Sequence, residues 1–212
     1  MYTKPTCFSP AIIILFFCCL LSTVTNGQTK KTFKKIYVQA GAGFTSRNGG
    51  AGEIGIQSVF QSNWTLSLSY NTISADPKNL PSDYEPDYIL FIPFYPTVDI
   101  NLFTITGGKL FPTGKNTWFT TEAGVSFGSG EKMTFTPVDP QFFIIGATSN
   151  YDDKTEKKSL VGLMLKTDFN WAFSSFMGLG TGVYANLNSV QSPVGGNIKL
   201  LIGKMDKVKR NK

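Results

Sequence analysis

The sequence predicts an all-β chain, folded as an eight-stranded antiparallel up-and-down transmembrane β-barrel. Three observations predict it. Eight consecutive segments alternate strictly between apolar and polar residues. Each runs for about nine to twelve residues, the length a tilted strand needs to cross a bilayer, where ordinary strands average nearer five or six. The connections between them include three short ones that fall on one side and two long ones that fall on the other.

Composition sets the outer bounds. The chain has 212 residues, 42% hydrophobic and only 16% charged, which suits one domain and excludes a disordered or coiled-coil chain. It contains no His, so Ser-His-Asp catalysis, Cys-His catalysis and His-metal sites are excluded. No catalytic, cofactor-binding or metal-binding residues are assigned.

Residues 1–27 read as a signal peptide. Lys4 supplies the basic start, and Ala11 to Leu21 is an unbroken apolar run. A helix spanning the bilayer needs about 20 apolar residues, so this run is too short for one. Thr25-Asn26-Gly27 provides small and polar residues for cleavage near Gly27/Gln28. Cys7, Cys18 and Cys19 all lie within this segment, so the mature chain has neither disulfides nor thiolate chemistry. The bulky Leu15-Phe16-Phe17 before Cys18 argues against a lipoprotein. The domain reading is thus 1–27 signal peptide, 28–205 barrel and 206–212 basic tail.

Along the barrel, the first segment (Lys35 to Thr45) sets Val38, Ala40, Ala42 and Phe44 against Tyr37, Gln39, Gly41 and Gly43. The second, from about Gly50 to Phe60, opposes Ile54 and Ile56 to Glu53, Gly55 and Gln57. The third (Trp64 to Ile73) opposes Trp64, Leu66, Leu68 and Tyr70 to Thr65, Ser67, Ser69 and Asn71. The fourth starts at Thr97, with Val98, Ile100 and Leu102 as its apolar face against Asp99 and Asn101; Phe103 and Ile105 then break that pattern. The fifth (Asn116 to Gly128) opposes Phe119, Ala123, Val125 and Phe127 to Thr120, Glu122, Gly124 and Ser126. The sixth (Ser159 to Trp171) opposes Leu163, Leu165 and Phe169 to Lys166, Asp168 and Asn170. The seventh (Phe176 to Leu187) carries Gly178, Gly180, Gly182 and Tyr184 on its polar face, and the eighth (Gly196 to Gly203) carries Asn197 and Lys199.

The glycine-rich polar face suits the narrow interior of a small barrel. Trp64, Trp118 and Trp171 all fall at one rim in this topology, the position that suits a ring both apolar and hydrogen-bonding. Trp118 alone sits on the polar face. Phe44, Tyr70 and Phe127 would ring the other rim. With eight strands both basic ends lie together, the short connections lie beside them, and the long loops 74–96 and 129–158 lie opposite.

Taken together, a cleaved signal followed by eight alternating strands resembles the small outer-membrane β-barrels, of the OmpA-membrane-domain and OmpX-like kind within the porin-like superfamily of the Gram-negative envelope. The resemblance covers Lys35 to Met205. It implies short periplasmic turns, long external loops and residence in the cell outer membrane. A C-terminal aromatic, usual in that family, is replaced here by Met205-Asp206-Lys207-Val208-Lys209-Arg210-Asn211-Lys212.

Other motifs reduce to ordinary features. Gly178-Leu179-Gly180-Thr181-Gly182 lacks the third spacing of a dinucleotide loop, because Val183 stands where Gly is needed. Thr113-Gly114-Lys115-Asn116 reads as a turn. Asp83, Glu85 and Asp87, and Asp152, Asp153 and Glu156, lack calcium-loop spacing and read as solvated loop charge. Ile89-Leu90-Phe91-Ile92 could continue a strand beyond the membrane. The apolar residues of the two long loops either pack over the barrel mouth or form a partner surface.

The functional expectation is a non-enzymatic, monomeric outer-membrane barrel without cofactors. Its partners are outer-membrane lipids and an external protein or surface met through loops 74–96 and 129–158, not nucleic acid. The alternatives are a narrow channel for small solutes, or a secreted soluble barrel binding an apolar ligand. Facing pairs of the fifth and sixth strands should have residue numbers summing to about 288, which puts Glu122 opposite Lys166 as a hydrogen-bonded lumenal ion pair. Glu53, Asp99, Asp168 and Lys199 are the other expected inward charges.

Overall fold

The computed structural model describes residues 33–89, 92–140, 142–143 and 146–205. The proposed signal segment and the basic tail lie outside these. The strands in chain order are β1 (Phe33–Thr45), β2 (Gly49–Phe60), β3 (Trp64–Ala75), β4 (Asp87–Ile89), β5 (Ile92–Phe94), β6 (Val98–Pro112), β7 (Thr117–Pro137), β8 (Phe142–Phe143), β9 (Gly146–Ala147), β10 (Tyr151–Ala172), β11 (Met177–Asn188) and β12 (Val194–Lys204). Eight of them close into an antiparallel barrel, in the order β1-β12-β11-β10-β7-β6-β3-β2. The chain therefore runs up and down around the wall, and β12 seals it by pairing with β1.

The turns at 61–63, 113–116 and 173–176 lie at the end of the barrel that holds Phe33 and Met205. We call this the terminal end. Tight hydrogen bonds set these turns, as where the amides of Thr113 and Gly114 both donate to the Thr117 carbonyl at 3.1 Å. Asn63 takes the left-handed conformation that its turn requires, with φ 63°.

At the opposite, loop end, the strands extend further than the sequence predicts. The connection expected over 129–158 is largely strand, because β7 runs to Pro137 and β10 starts at Tyr151, paired throughout from Tyr151↔Pro137 downward. Thr134, Phe135 and Thr136 favour the strand, and the paired charges Lys132↔Glu156 suit an exposed ribbon. Of the stretch expected to continue a barrel strand, Ile89 and Ile92 belong instead to β4 and β5, which pair in a separate four-stranded sheet of order β5-β4-β9-β8; Leu90 and Phe91 lie outside the described residues.

The barrel is apolar outside and polar inside. Val161, Val183, Ile198 and Phe44 are each more than 60% exposed on the outer wall. Gln39, Gln57, Thr120, Glu122 and Lys199 are buried in the lumen. The faces match the predicted alternation on seven strands. β6 corrects the eighth. Its Val98, Ile100 and Leu102 point inward, while Asp99 is exposed outside. The period itself never breaks: odd residues face out along the strand, and the outer face changes from polar to apolar at Phe103. Above that level the outer face is polar, and the Asp99 amide donates to Glu131 of the extended β7.

Candidate functional site in the lumen and its loop cap

The inward side chains form three layers. At the terminal end Tyr37, Val59, Leu110, Trp118, Leu201 and Met205 form an apolar floor. Trp118, expected in a rim belt, is only 2% exposed and packs inside against Tyr37, with ring centroids 6.4 Å apart. It lies on the inward side of β7's alternation, and pleat overrides the interfacial preference of the ring. The Lys35 ammonium stands 4.1 Å above its centroid.

The middle layer holds the charges. Glu53 from β2 is the hub: Lys166 reaches it at 2.9 Å, Lys199 at 3.0 Å, Gln39 at 2.8 Å and Asn197 at 3.2 Å. Lys199 also meets Asp168 at 2.9 Å. Glu122 accepts from Gln57 at 2.7 Å and Thr106 at 2.8 Å. Lys166 does face Glu122 in register, but their charged atoms are 3.9 Å apart and no hydrogen bond joins them. Asp99, expected among these charges, lies outside the lumen, for the reason given for β6.

Two inward glycines make room for this layer. A Cβ on Gly41 would come within 2.9 Å of the Lys199 side chain, and one on Gly182 would collide with the Asp168 carboxylate. Glycine at these places lets the lysine and aspartate side chains lie across the wall.

At the loop end Ile73, Ile100, Leu102, Leu160, Met164 and Tyr184 form an apolar ceiling. The polarity rule of the alternation did not foresee this layer or the floor. Between ceiling and charge layer, a cavity of ≈ 10 Å³ remains beside Glu53, Asn71 and Lys166, the volume of about one water-sized probe.

Above the ceiling, the loops bind one another. The Tyr151 hydroxyl donates to Asp83 at 2.9 Å, the Glu85 amide to Asn150 at 2.8 Å and the Ser149 amide to Asp87 at 2.6 Å. Tyr84 packs against Phe135 and Tyr151, with centroids at 5.7 and 6.1 Å. Burial raises the Tyr84 phenol pKa, and the hydrogen bond to Asp83 raises that of Tyr151. The two acidic loop clusters therefore do different things. Asp83 and Asp87 clasp the loops, while Asp152, Asp153 and Glu156 stay exposed on the β10 ribbon. Tyr88, Ile92, Phe94 and Tyr95 remain exposed on the cap. The side chains of residues 142–145 lie outside the described positions.

Solved structures share this architecture. The N-terminal β-barrel domain of Pseudomonas aeruginosa OprF matches with a TM-score of 0.50 at 11% identity, over 81% of this chain and 98% of that one. The fold is a closed eight-stranded antiparallel β-barrel like that domain's. Neisserial surface protein A matches at 15% identity with a TM-score of 0.47, over 81% of this chain and 97% of that one. Ail, the attachment invasion locus protein of Yersinia pestis, matches at 10% identity with a TM-score of 0.42, over 80% and 94%. No protein-family model and no curated protein sequence matches this chain.

Proposed function

We propose that this chain is a non-enzymatic, monomeric barrel of the outer membrane whose external cap meets a protein or surface partner. The signal segment 1–27 is removed near Gly27/Gln28, 28–205 forms the barrel, and 206–212 is a basic tail.

One observation carries the reading: the barrel is inside out for water. Its buried wall holds Glu53, Glu122, Asp168, Lys166 and Lys199, while Phe, Leu, Ile and Val cover the outside. A soluble monomer rarely exposes an apolar patch beyond a few hundred Å². A bilayer covers such a surface favourably, and a closed barrel leaves no unpaired backbone within it. Two aromatic girdles support the same placement. Trp64, Phe111, Phe119, Phe169 and Trp171 stand near the terminal end, and Phe44, Tyr70, Phe103 and Phe127 near the loop end.

The filled lumen favours a structural or interaction role over a channel. The cavity beside Glu53, Asn71 and Lys166 holds about one water, and an eight-stranded interior is just wide enough for side chains. The charges in it also disfavour an apolar-ligand calyx. The absence of His leaves the acyl-transfer and hydrolase chemistry of small barrels without its usual base. The exposed Tyr88, Ile92, Phe94 and Tyr95 are the surface we assign to the partner.

Protease added to intact cells tests the orientation. Cleavage within 76–97 or 138–150, with the turn at 113–116 spared, is the expected outcome. Cleavage confined to that turn would invert the topology and remove the cap as a partner surface.

A further inference from the structure

We propose that the membrane-facing wall carries a seat for one anionic phospholipid, with its phosphate on Lys109 and an acyl chain in a diagonal groove across β6, β7, β10 and β11. A groove of ≈ 600 Å³ runs over this wall from Trp64 and Lys109 to Val194. The strand register explains it. Lys109, Thr121, Thr167 and Val183 lie in one row across the strands, and Gly107, Ala123, Leu165 and Ala185 in the next. The rows on either side are bulkier. Phe111, Phe119 and Phe169 form one ridge, and Ile105, Val125 and Leu163 the other.

Gly107, Ala123 and Ala185 keep the floor of the groove low between those ridges. From β6 to β12 the rows cross four inter-strand spacings, about 19 Å, the reach of an extended acyl chain rather than of a side chain. The rows slant because the strands tilt, so the groove descends toward the terminal end, where Trp64 and Lys109 stand side by side in register.

Charge selects the head group. The terminal end carries Lys34, Lys35, Lys109, Lys115 and Lys204, and among the described residues no carboxylate lies on its outer rim. Glu122, next in register to Gly108, points inward to Gln57 and Thr106. Lys109 is exposed, and its ammonium has no hydrogen bond or ion pair among the described residues. An interfacial lysine at the open end of an apolar groove fits a phosphate above a hydrocarbon tail.

This inference rests on the membrane reading above. Native mass spectrometry of the full chain, folded in detergent with equal amounts of phosphatidylglycerol and phosphatidylethanolamine, tests it. The expected result is one retained phospholipid, with phosphatidylglycerol favoured about fivefold, the ratio one lysine near a lipid surface supplies. Lys109→Gln should abolish the preference. Gly107→Leu should abolish retention, and it fits the backbone because a Cβ there meets only the Thr65 carbonyl at 3.7 Å. Heat-modifiable mobility confirms that each variant is folded. Equal retention by all three folded proteins, or a dimer that Gly107→Leu dissolves, would overturn the lipid seat and leave the membrane reading intact. Failure of the wild-type chain to enter phospholipid vesicles would overturn both.

Discussion

Lys166 stands directly opposite Glu122 on neighbouring strands, yet its ammonium lies 3.9 Å from that carboxylate and donates to Glu53 at 2.9 Å. Glu53 comes from β2, on the far wall of the barrel. Facing residues in an antiparallel pair project side by side, so a long lysine gains more by crossing a narrow lumen. Glu122 is already satisfied by Gln57 and Thr106. The ion pairs therefore tie opposite walls together.

Lys166→Glu places four carboxylates, with Glu53, Glu122 and Asp168, around the one remaining lysine of this layer, Lys199. It should lower the unfolding free energy of the detergent-folded barrel by about 3–5 kcal/mol, the scale of an uncompensated buried charge. Adding Glu122→Lys should recover part of that loss. Urea titration followed by tryptophan fluorescence measures both. An unaltered midpoint in the single variant would mean that this layer is solvated.

Glycines on the two faces should differ in tolerance. Gly182→Ala drives a methyl into the Asp168 carboxylate, whereas Gly107→Ala meets only the Thr65 carbonyl at 3.7 Å. The first should cost about 1–3 kcal/mol, the range of overpacking, and the second much less. The same titration compares them, and equal losses would contradict the lumen packing.

A filled lumen should be electrically silent. Purified wild-type barrel inserted into planar bilayers should show no steady conductance at neutral pH. A constant unitary current accompanying every insertion would return the narrow channel to first place.

The loop clasp should loosen in alkali. The Tyr151 phenol pKa lies above its ordinary 10.0, through its hydrogen bond to Asp83. A raised folded value means that the proton stabilises the clasp. That contribution is complete below pH 10 and is lost as pH rises through the folded value. Proteolysis within 76–86 should therefore accelerate above pH 10, and Tyr151→Phe should show the faster rate already at neutral pH. Identical rates for wild type and variant at neutral pH would show that the hydrogen bond does not hold the loop.

Much of the barrel was legible because side-chain alternation is a direct print of the strand pleat. Gly128 opposite Leu160 and Glu122 opposite Lys166 follow from it, and both pairings occur. What stays hidden depends on height within the barrel. Alternation separates two faces but does not say where each face changes polarity, so it puts Asp99 inside and Ile100 outside, the reverse of the structure. Trp118 has the inward parity of β7, and the chemistry of its ring points to the rim instead. The extension of β7 and β10 was hidden by the charges on 152–158, which resemble a solvated loop but suit a two-sided exposed ribbon equally well. The hub role of Glu53 needs a contact across 113 residues of chain, which no local pattern encodes.

Fractionation of the expressing cell tests membrane residence most directly. The chain should sediment with the outer membrane, resist carbonate extraction, and enter solution only with detergent, where unheated and heated samples migrate differently on a gel. Recovery of folded protein from the periplasm or medium without detergent would contradict it, and would make the apolar outer wall a surface for some other cover than lipid.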